Sequence, residues 1–254
     1  MQLKTLKAAL AACLLFSATA ATAAEKLTYE KQDWSWQGIF GTYDRAQLQR
    51  GLQVFKEVCA ACHALNYVAF RNLSDLGYSK KEIQAFAKTF EVTNAEPNDE
   101  GEIFKRPGKS NDYFPPPFPN VQAARAANGG AYPPNLSLMV EARANGADYI
   151  YALMTGYKEP PKDVKMNEGM SYNVAFPGHQ IAMGPPLSEG SVEYADGTKP
   201  TLNQLATDVT AFLAWAAEPN LEARKRMGFK VLLFLFAFLA ILIAMKKRTW
   251  ADVH

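Results

Sequence analysis

The sequence predicts a mainly α-helical domain with long loops, followed by one C-terminal transmembrane helix. Apolar residues recur at helical spacing in several segments, none shows sustained alternation of apolar and polar residues, and residues 231–245 are all apolar. Charged residues make up 20% and hydrophobic residues 48% of the 254 residues, which excludes a disordered chain. The 27 basic and 25 acidic residues give no basic excess, so no nucleic-acid binding is expected.

Residues 1–24 have the pattern of a cleaved signal peptide. A basic start precedes a short apolar run over residues 8–18 and an A-x-A cleavage site that ends at Ala23. The apolar run is too short for a membrane anchor. Cleavage there, or one residue later, removes Cys13. That residue also ends a lipoprotein-like box, which is the alternative route of processing.

The C-terminal apolar segment predicts a transmembrane anchor helix over residues 222–248. Its unbroken run of 15 apolar residues (231–245) would cover only about 22 Å as a helix, less than the hydrocarbon layer. The span therefore extends back to Met227, with Lys230 reaching to the interface. A buried core helix is the alternative, but core helices rarely lack polar residues on every face.

The cleaved signal and the single anchor together predict the topology. Residues 25–221 would form a periplasmic domain, and residues 249–254 a cytoplasmic tail, on a protein of the cell inner membrane. The exported part carries 18 basic and 23 acidic residues, whereas the chain from residue 222 onward carries seven basic and two acidic ones. An acidic domain is therefore joined to a basic anchor.

Five segments of the exported domain predict helices, from capping residues or from helical spacing of apolar residues. The first begins after Asp44 and the second after Ser79. The third covers residues 135–143, starting at Asn135 or Ser137, the fourth covers residues 148–154, and the fifth lies between Thr201 and Pro219. Residues 91–120 and 157–200 are rich in proline and glycine, which predicts long loops. Such loops are uncommon in a compact domain unless they have a function, and enclosing a large prosthetic group would be one.

Residues 59–63, Cys-Ala-Ala-Cys-His, form the C-x-x-C-H pattern of a covalently attached c-type haem. The thiols of Cys59 and Cys62 add across two vinyl groups of one haem, and His63 then lies under the iron as its proximal ligand. A thioredoxin-like redox pair would need a βαβ context, and a zinc site would need four ligands. The sequence therefore predicts one haem c.

The second axial ligand must come from elsewhere in the chain. Several candidates lie in the long loop over residues 157–200, namely Met166, Met170, His179 and Met183. Met183 is favoured because two prolines stiffen the chain just after it, which lowers the entropic cost of presenting its thioether. His179 remains the alternative. A methionine ligand would raise the reduction potential, and a histidine ligand would lower it.

Longer runs around these residues resemble the cytochrome c1 family. The likeness covers nearly the whole chain after the signal peptide, from Trp36 to Trp250. Its segments include residues 36–41, 47–51, 76–78, 127–134, 153–157, 172–173, 176–178, 181–183, 196–198 and 215–219. It implies a class I cytochrome c-like haem domain with long loop insertions, plus the C-terminal transmembrane helix.

The resemblance also implies roles for two residues outside the C-x-x-C-H pattern. Met183 would be the sixth iron ligand, and Arg143 would pair with a haem propionate, with an exposed helix charge as the alternative for Arg143. Two positions depart from the family pattern. Asn135 stands where aspartate is usual, which removes a charge, and Gly184 replaces a bulkier residue, which loosens the ligand loop.

The function implied is that of the electron-transfer subunit of ubiquinol–cytochrome c reductase. Such a subunit accepts electrons from a Rieske iron–sulfur protein and passes them to a soluble cytochrome c, without substrate catalysis of its own. Cytochrome b and membrane lipid are the other implied partners, in a dimeric complex. A single-haem membrane shuttle or oxidase subunit, and a haem peroxidase with an open sixth site, are the alternatives. The acidic run over residues 91–102 is either a docking face for a basic cytochrome c or a solvated loop.

Overall fold

Six α-helices dominate residues 27–252, the part of the chain that the computed structural model describes. They are α1 (Arg45–Glu57), α2 (Lys80–Ala87), α3 (Val121–Ala127), α4 (Gly146–Thr155), α5 (Leu202–Ala217) and α6 (Leu221–Thr249). Two 3₁₀ helices, Cys59–Ala61 and Phe70–Leu76, lie between α1 and α2. The mainly α-helical prediction is confirmed. The predicted signal peptide, including Cys13, lies outside the described residues.

Two short antiparallel hairpins lie within the long proline-rich loops. Strand β1 (Glu91–Thr93) pairs with β2 (Lys105–Pro107), and β3 (Ser171–Tyr172) pairs with β4 (Gln180–Ile181). Strands are thus a minor part of the described fold, as the sequence predicts.

Three helices begin at the capping residues that the sequence identifies. The Asp44 carboxylate accepts hydrogen bonds from two backbone N–H groups at the start of α1, and Ser79 forms a complete capping box with Glu82. Thr201 caps α5 by accepting from the Gln204 N–H, at 3.2 Å. The Gln204 side chain does not close the box, because it donates to the buried Asp208 carboxylate instead.

The prediction of a short helix over residues 135–143 is wrong, because this segment forms successive turns. Its first polar groups are already engaged. The Leu136 N–H donates to the Ala64 carbonyl at 2.9 Å, and the Ser137 hydroxyl accepts from the Tyr67 N–H at 3.1 Å. Side-chain and long-range bonds therefore replace the first helical turn and tie the segment to the chain just after the C-x-x-C-H residues.

Two further helices differ from the prediction. Helix α4 begins at Gly146, two residues earlier than predicted, after Asn145 in a left-handed conformation (φ 68°), and it ends at Thr155, with Gly156 as its C-cap as expected. Helix α3 was not predicted from the sequence. It is seven residues long and starts where the Asn120 side chain accepts from the Ala123 N–H at 2.8 Å.

Helix α5 is the centre of the core and packs against both α1 and α4. The crossing with α1 is close because α1 has a glycine at the contact. A Cβ atom on Gly51 would collide with the Asp208 carbonyl and would lie 2.6 Å from the Cβ of Phe212. Only glycine therefore allows the two backbones to approach this closely.

A buried ion pair joins the same two helices. The Arg50 guanidinium on α1 contacts the Asp208 carboxylate on α5 at 2.9 Å, and the Asp208 side chain is fully buried. The same guanidinium reaches Asp196 at 2.9 Å, but that side chain is 44% exposed. Because water does not reach the Asp208 carboxylate, only protein groups can stabilise its charge.

Helix α6 is 29 residues long, or about 43 Å. Its most apolar 18-residue window has a mean hydropathy of 2.6, and none of that window is buried against the rest of the chain. It is the one helix among the described residues that is long and apolar enough to cross a membrane. Its exposure disfavours the alternative of a buried core helix.

Loss of the buried carboxylate should destabilise the fold strongly. We expect Asp208→Ala to lower the free energy of unfolding by about 3 kcal/mol, because Arg50 loses its fully buried partner. Guanidinium unfolding of the haem-loaded full chain in detergent would measure it. Asp196→Ala is the matched control, since it removes the exposed partner of the same arginine and should cost much less. An equal loss of unfolding free energy in the two variants would contradict the stabilising role given to the buried Arg50–Asp208 pair.

Candidate haem site

The C-x-x-C-H residues form one tight turn at the end of α1. The N–H groups of Cys62 and His63 both donate to the Cys59 carbonyl, at 3.1 and 2.9 Å. The turn follows a helix whose Leu52 and Phe55 are almost fully buried. The two thiols and the imidazole therefore project from a segment that the core holds in place.

The His63 imidazole is oriented by a backbone carbonyl. Its Nδ1 lies 2.8 Å from the Pro134 oxygen, and because a carbonyl can only accept, Nδ1 carries the proton. Nε2 is then left with its lone pair available for a metal. Burial lowers the pKa of His63, with the hydrogen bond to Pro134 opposing this, so the neutral form that binds iron is favoured.

The two cysteine thiols differ in exposure, since Cys59 is half-buried and Cys62 is exposed. Burial raises the pKa of the Cys59 thiol, and the neighbouring Cys62 raises it further. This environment penalises a thiolate, but a thioether carries no charge and is tolerated there. The donor set of two thiols and one neutral imidazole fits a covalently attached haem.

Met183 lies in a loop that is held at two points. Ile181, two residues earlier, pairs with Ser171 in the β3–β4 hairpin, and the Met183 carbonyl accepts a hydrogen bond from the Tyr157 hydroxyl at 3.1 Å. The Met183 side chain is half-buried and packs against the core.

The other ligand candidates of the same loop have different surroundings. Met170 is 40% exposed, and it lines a cavity of about 470 Å³ together with Met166 and Met154. His179 has its ring 5.7 Å from that of Tyr172 and its Nδ1 3.3 Å from the Asn173 carbonyl. Of the three methionines in the loop, only Met183 packs against the core, which favours it as the ligand.

Asn173 is a buried residue whose importance the sequence analysis missed. Its amide donates to the Leu153 carbonyl of α4 at 2.8 Å and accepts from the Ala175 N–H at 2.9 Å. Its backbone N–H donates to the His179 carbonyl at 3.0 Å. Asn173 thus connects α4 to the loop that carries Met183, a role that composition alone does not reveal.

The two departures from the family pattern cause no disruption in the structure. The Asn135 side-chain oxygen accepts from the Ser137 N–H at 2.9 Å, a bond that a carboxylate would also make. A Cβ atom on Gly184 would meet no atom within 4 Å, so the space around the loop does not require glycine there.

Arg143 lies in the turn before α4, at the edge of a cleft of about 660 Å³. Tyr29, Tyr149 and Phe176 also line this cleft, whereas His63 and Met183 do not. Burial raises the pKa of Tyr149, and the nearby Arg143 guanidinium opposes that rise. A guanidinium beside a phenol provides hydrogen-bond donors suited to a carboxylate such as a propionate. The structure thus groups Arg143 with Tyr149 in a cleft whose lining does not include the cysteines.

A C-x-x-C-H turn at a helix end, a neutral imidazole and a core-packed methionine loop define the chain as a c-type cytochrome. Comparison with known proteins identifies which kind. The family model described as "Cytochrome C1 family" matches residues 34–253, and the chain belongs to that family. The resemblance stated from the sequence is confirmed.

Individual relatives agree with this assignment. Cytochrome c1 of Rhodospirillum rubrum is 49% identical, with 89% of each chain covered. A protein of Candida albicans named cytochrome b-c1 complex catalytic subunit, mitochondrial, is 48% identical, with 93% of this chain and 83% of the relative covered. A Bradyrhizobium diazoefficiens protein named cytochrome b/c1 is 49% identical over 87% of this chain, which spans only 35% of that longer protein.

Removing the bond to the Met183 carbonyl should loosen its loop. We expect Tyr157→Phe to lower the free energy of unfolding by about 1 kcal/mol and to speed amide exchange over residues 181–184, since a part-buried acceptor loses its donor. Hydrogen exchange followed by mass spectrometry would localise the effect. Tyr67→Phe is the control, because this side chain is 64% exposed and lies elsewhere. An equal response of both variants would argue against the proposed restraint.

Proposed function

We propose that this chain is the haem-carrying electron-transfer subunit of a ubiquinol–cytochrome c reductase. It accepts electrons from a Rieske iron–sulfur protein and delivers them to a soluble cytochrome c. The observation that carries the proposal is the C-x-x-C-H turn within a match to the family over residues 34–253, which includes the long apolar helix. Names of relatives that refer to cytochrome b or the cytochrome b-c1 complex support it.

Five residues would hold one haem c in this proposal. Cys59 and Cys62 would attach it through thioethers, His63 and Met183 would ligate its iron, and Arg143 would pair with a propionate. The haem, when bound, supplies one-electron transfer through its iron. With His63 and Met183 both holding the iron, no position would be left for a small substrate, which fits a redox carrier without its own substrate catalysis and not a peroxidase.

The chain's own residues set the electrostatics of this site. The His63 imidazole and the Met183 thioether are both neutral donors, and the only charge among the five residues is the Arg143 guanidinium. A neutral methionine ligand and a nearby cation both favour the reduced iron, so the expected reduction potential is high for a c-type haem. Hydrogen bonds from His63 to Pro134 and from Tyr157 to Met183 would keep the two ligands oriented.

The proposed topology divides the chain at the start of α6. Residues 1–24 are a cleaved signal, 25–221 a periplasmic haem domain, 222–248 the membrane anchor and 249–254 a cytoplasmic tail of an inner-membrane protein. The exposed apolar surface of α6 supports lipid contact and a place beside cytochrome b in a dimeric complex.

A surface for soluble cytochrome c is suggested by the β1–β2 hairpin. The turn between its strands carries exposed acidic side chains at Glu96, Asp99, Glu100 and Glu102. Negative charge on an exposed turn attracts a basic partner over a distance that shortens with salt. The hairpin is therefore our candidate for electrostatic steering of the electron acceptor.

Replacement of the proposed sixth ligand tests the function directly. In the purified complex, we expect Met183→Leu to abolish the sulfur–iron charge-transfer band and quinol-dependent reduction of cytochrome c. A fall in reduction potential of about 60 mV would already reduce the equilibrium constant for reduction about tenfold. Redox titration, visible spectra and steady-state assays would measure these effects.

Met170→Leu is the matched control for this substitution, because Met170 lies in the same loop but is 40% exposed. Unchanged spectra in Met183→Leu would transfer the ligand role to another residue. Purification through cytochrome b provides a separate test, since a membrane shuttle outside the complex would not be recovered with it.

The role proposed for Arg143 predicts an electrostatic effect. We expect Arg143→Gln to lower the reduction potential by an amount on the order of tens of millivolts, since removing a nearby cation favours the oxidised, more positive iron. Lys105→Gln should have little effect, because Lys105 lies in the β1–β2 hairpin and its side chain is 67% exposed to solvent. Redox titrations of both variants in the complex would decide, and equal potentials in Arg143→Gln and the parent would exclude the propionate pairing.

A further inference from the structure

Residues 35–42 form a loop whose tip is unusually apolar and exposed. Ile39 and Phe40 are 74% and 82% exposed, the two highest values among the large hydrophobic side chains of the described residues. Water-exposed apolar side chains at a loop tip indicate a contact surface when they lie together. The haem site proposed above does not use them.

The loop is built to hold this tip away from the domain. Gly38 has a φ of +71°, and a Cβ atom on Gly41 would collide with the Gln37 carbonyl, so both glycines are needed for the turn. The Thr42 N–H donates to the Ser35 carbonyl at 3.0 Å and closes the loop at its base. The exposure of Ile39 and Phe40 thus follows from an ordered backbone.

The same loop is fastened to the first turns of α6. The Lys225 ammonium donates to the carbonyls of Trp36, at 2.6 Å, and Gly41, at 3.1 Å. The ring of Phe40 lies edge-on to that of Phe229, with 6.5 Å between their centroids. These contacts fix the height of the tip along α6 at the level of Phe229.

The length of the apolar run places this level inside the hydrocarbon layer. Residues 231–245 cover only about 22 Å of a layer that is about 30 Å thick. Lys246, Lys247 and Arg248 follow the run directly, so the missing length has to come from the other end. Met227, Gly228 and Phe229 lie there, with Lys230 able to reach the headgroups.

We propose that Ile39 and Phe40 insert into the membrane beside α6, where lipid acyl chains cover them. The basic residues at the start of α6, which include Arg224, Arg226 and Lys230, would face the lipid headgroups around this insertion. The loop then acts as a second, interfacial attachment that restricts tilting of the domain about its single helix. This proposal rests on the membrane span described under the proposed function.

Photo-crosslinking in the assembled complex tests whether lipid acyl chains cover the loop tip. Phe40 is replaced by benzoylphenylalanine, the complex is placed in nanodiscs of phosphatidylcholine and phosphatidylglycerol, and the adducts after illumination are identified by mass spectrometry. We expect lipid adducts to exceed peptide adducts about tenfold, because a buried aromatic side chain strongly prefers the apolar phase. Phe104, an exposed residue in the β1–β2 hairpin, is the matched control and should give no lipid adduct.

Crosslinkers at two positions on α6 test separately whether that helix crosses the bilayer, so a failure of the loop insertion can be distinguished from a failure of the membrane span. Phe234 and Phe236 lie about 200° apart around the helix, so at least one of them should label lipid if α6 crosses the bilayer. Lipid adducts on α6 combined with peptide adducts, or none, at position 40 would overturn the loop insertion alone. Absence of lipid adducts at both α6 positions would overturn the span as well.

Discussion

The close crossing of α1 and α5 is the constraint on which the rest of the structure depends. Gly51 permits the approach, and the Arg50–Asp208 ion pair makes the contact polar at one point within an apolar core. Helix α1 leads directly into the cysteine turn, and α5 leads, four residues after its end, into α6. One helix crossing therefore sets the position of the candidate haem site relative to α6.

A second principle operates where regular structure ends. The chain segments that would surround the haem are mostly loops, and single hydrogen bonds to backbone carbonyls order them. The Pro134 carbonyl accepts a hydrogen bond from the His63 imidazole, and the Met183 carbonyl accepts one from the Tyr157 hydroxyl. The Leu153 carbonyl accepts one from the Asn173 amide. Each bond gives a donor to a backbone carbonyl that has no partner in a helix or sheet. The same contacts therefore complete the backbone hydrogen bonding and orient the proposed ligands.

Local sequence signals predicted the elements that local interactions determine. Asp44 and Ser79 identify helix starts because a capping side chain bonds within its own turn. The C-x-x-C-H spacing predicts covalent haem attachment on the same local basis, since adjacent residues supply both thiols and the imidazole. The helix predicted over residues 135–143 does not form, for the opposite reason. Its Leu136 N–H and Ser137 hydroxyl bond to Ala64 and Tyr67, which are distant in sequence. Asn173 was missed because a buried amide and an exposed one look identical in a single sequence.

Two ion pairs hold the junction between the domain and α6. Glu222, at the start of α6, accepts from the Tyr43 N–H and pairs with Arg45 on α1, and Arg224 pairs with Glu218 just before α6. The cation thus comes from the domain in one pair and from α6 in the other. Such pairs are weak individually, but these two, together with the bond from Tyr43, restrict the junction at the start of α6. Because Arg45 lies at the start of α1 and the C-x-x-C-H turn at its end, the pair with Glu222 also fixes the distance between that turn and the first turn of α6.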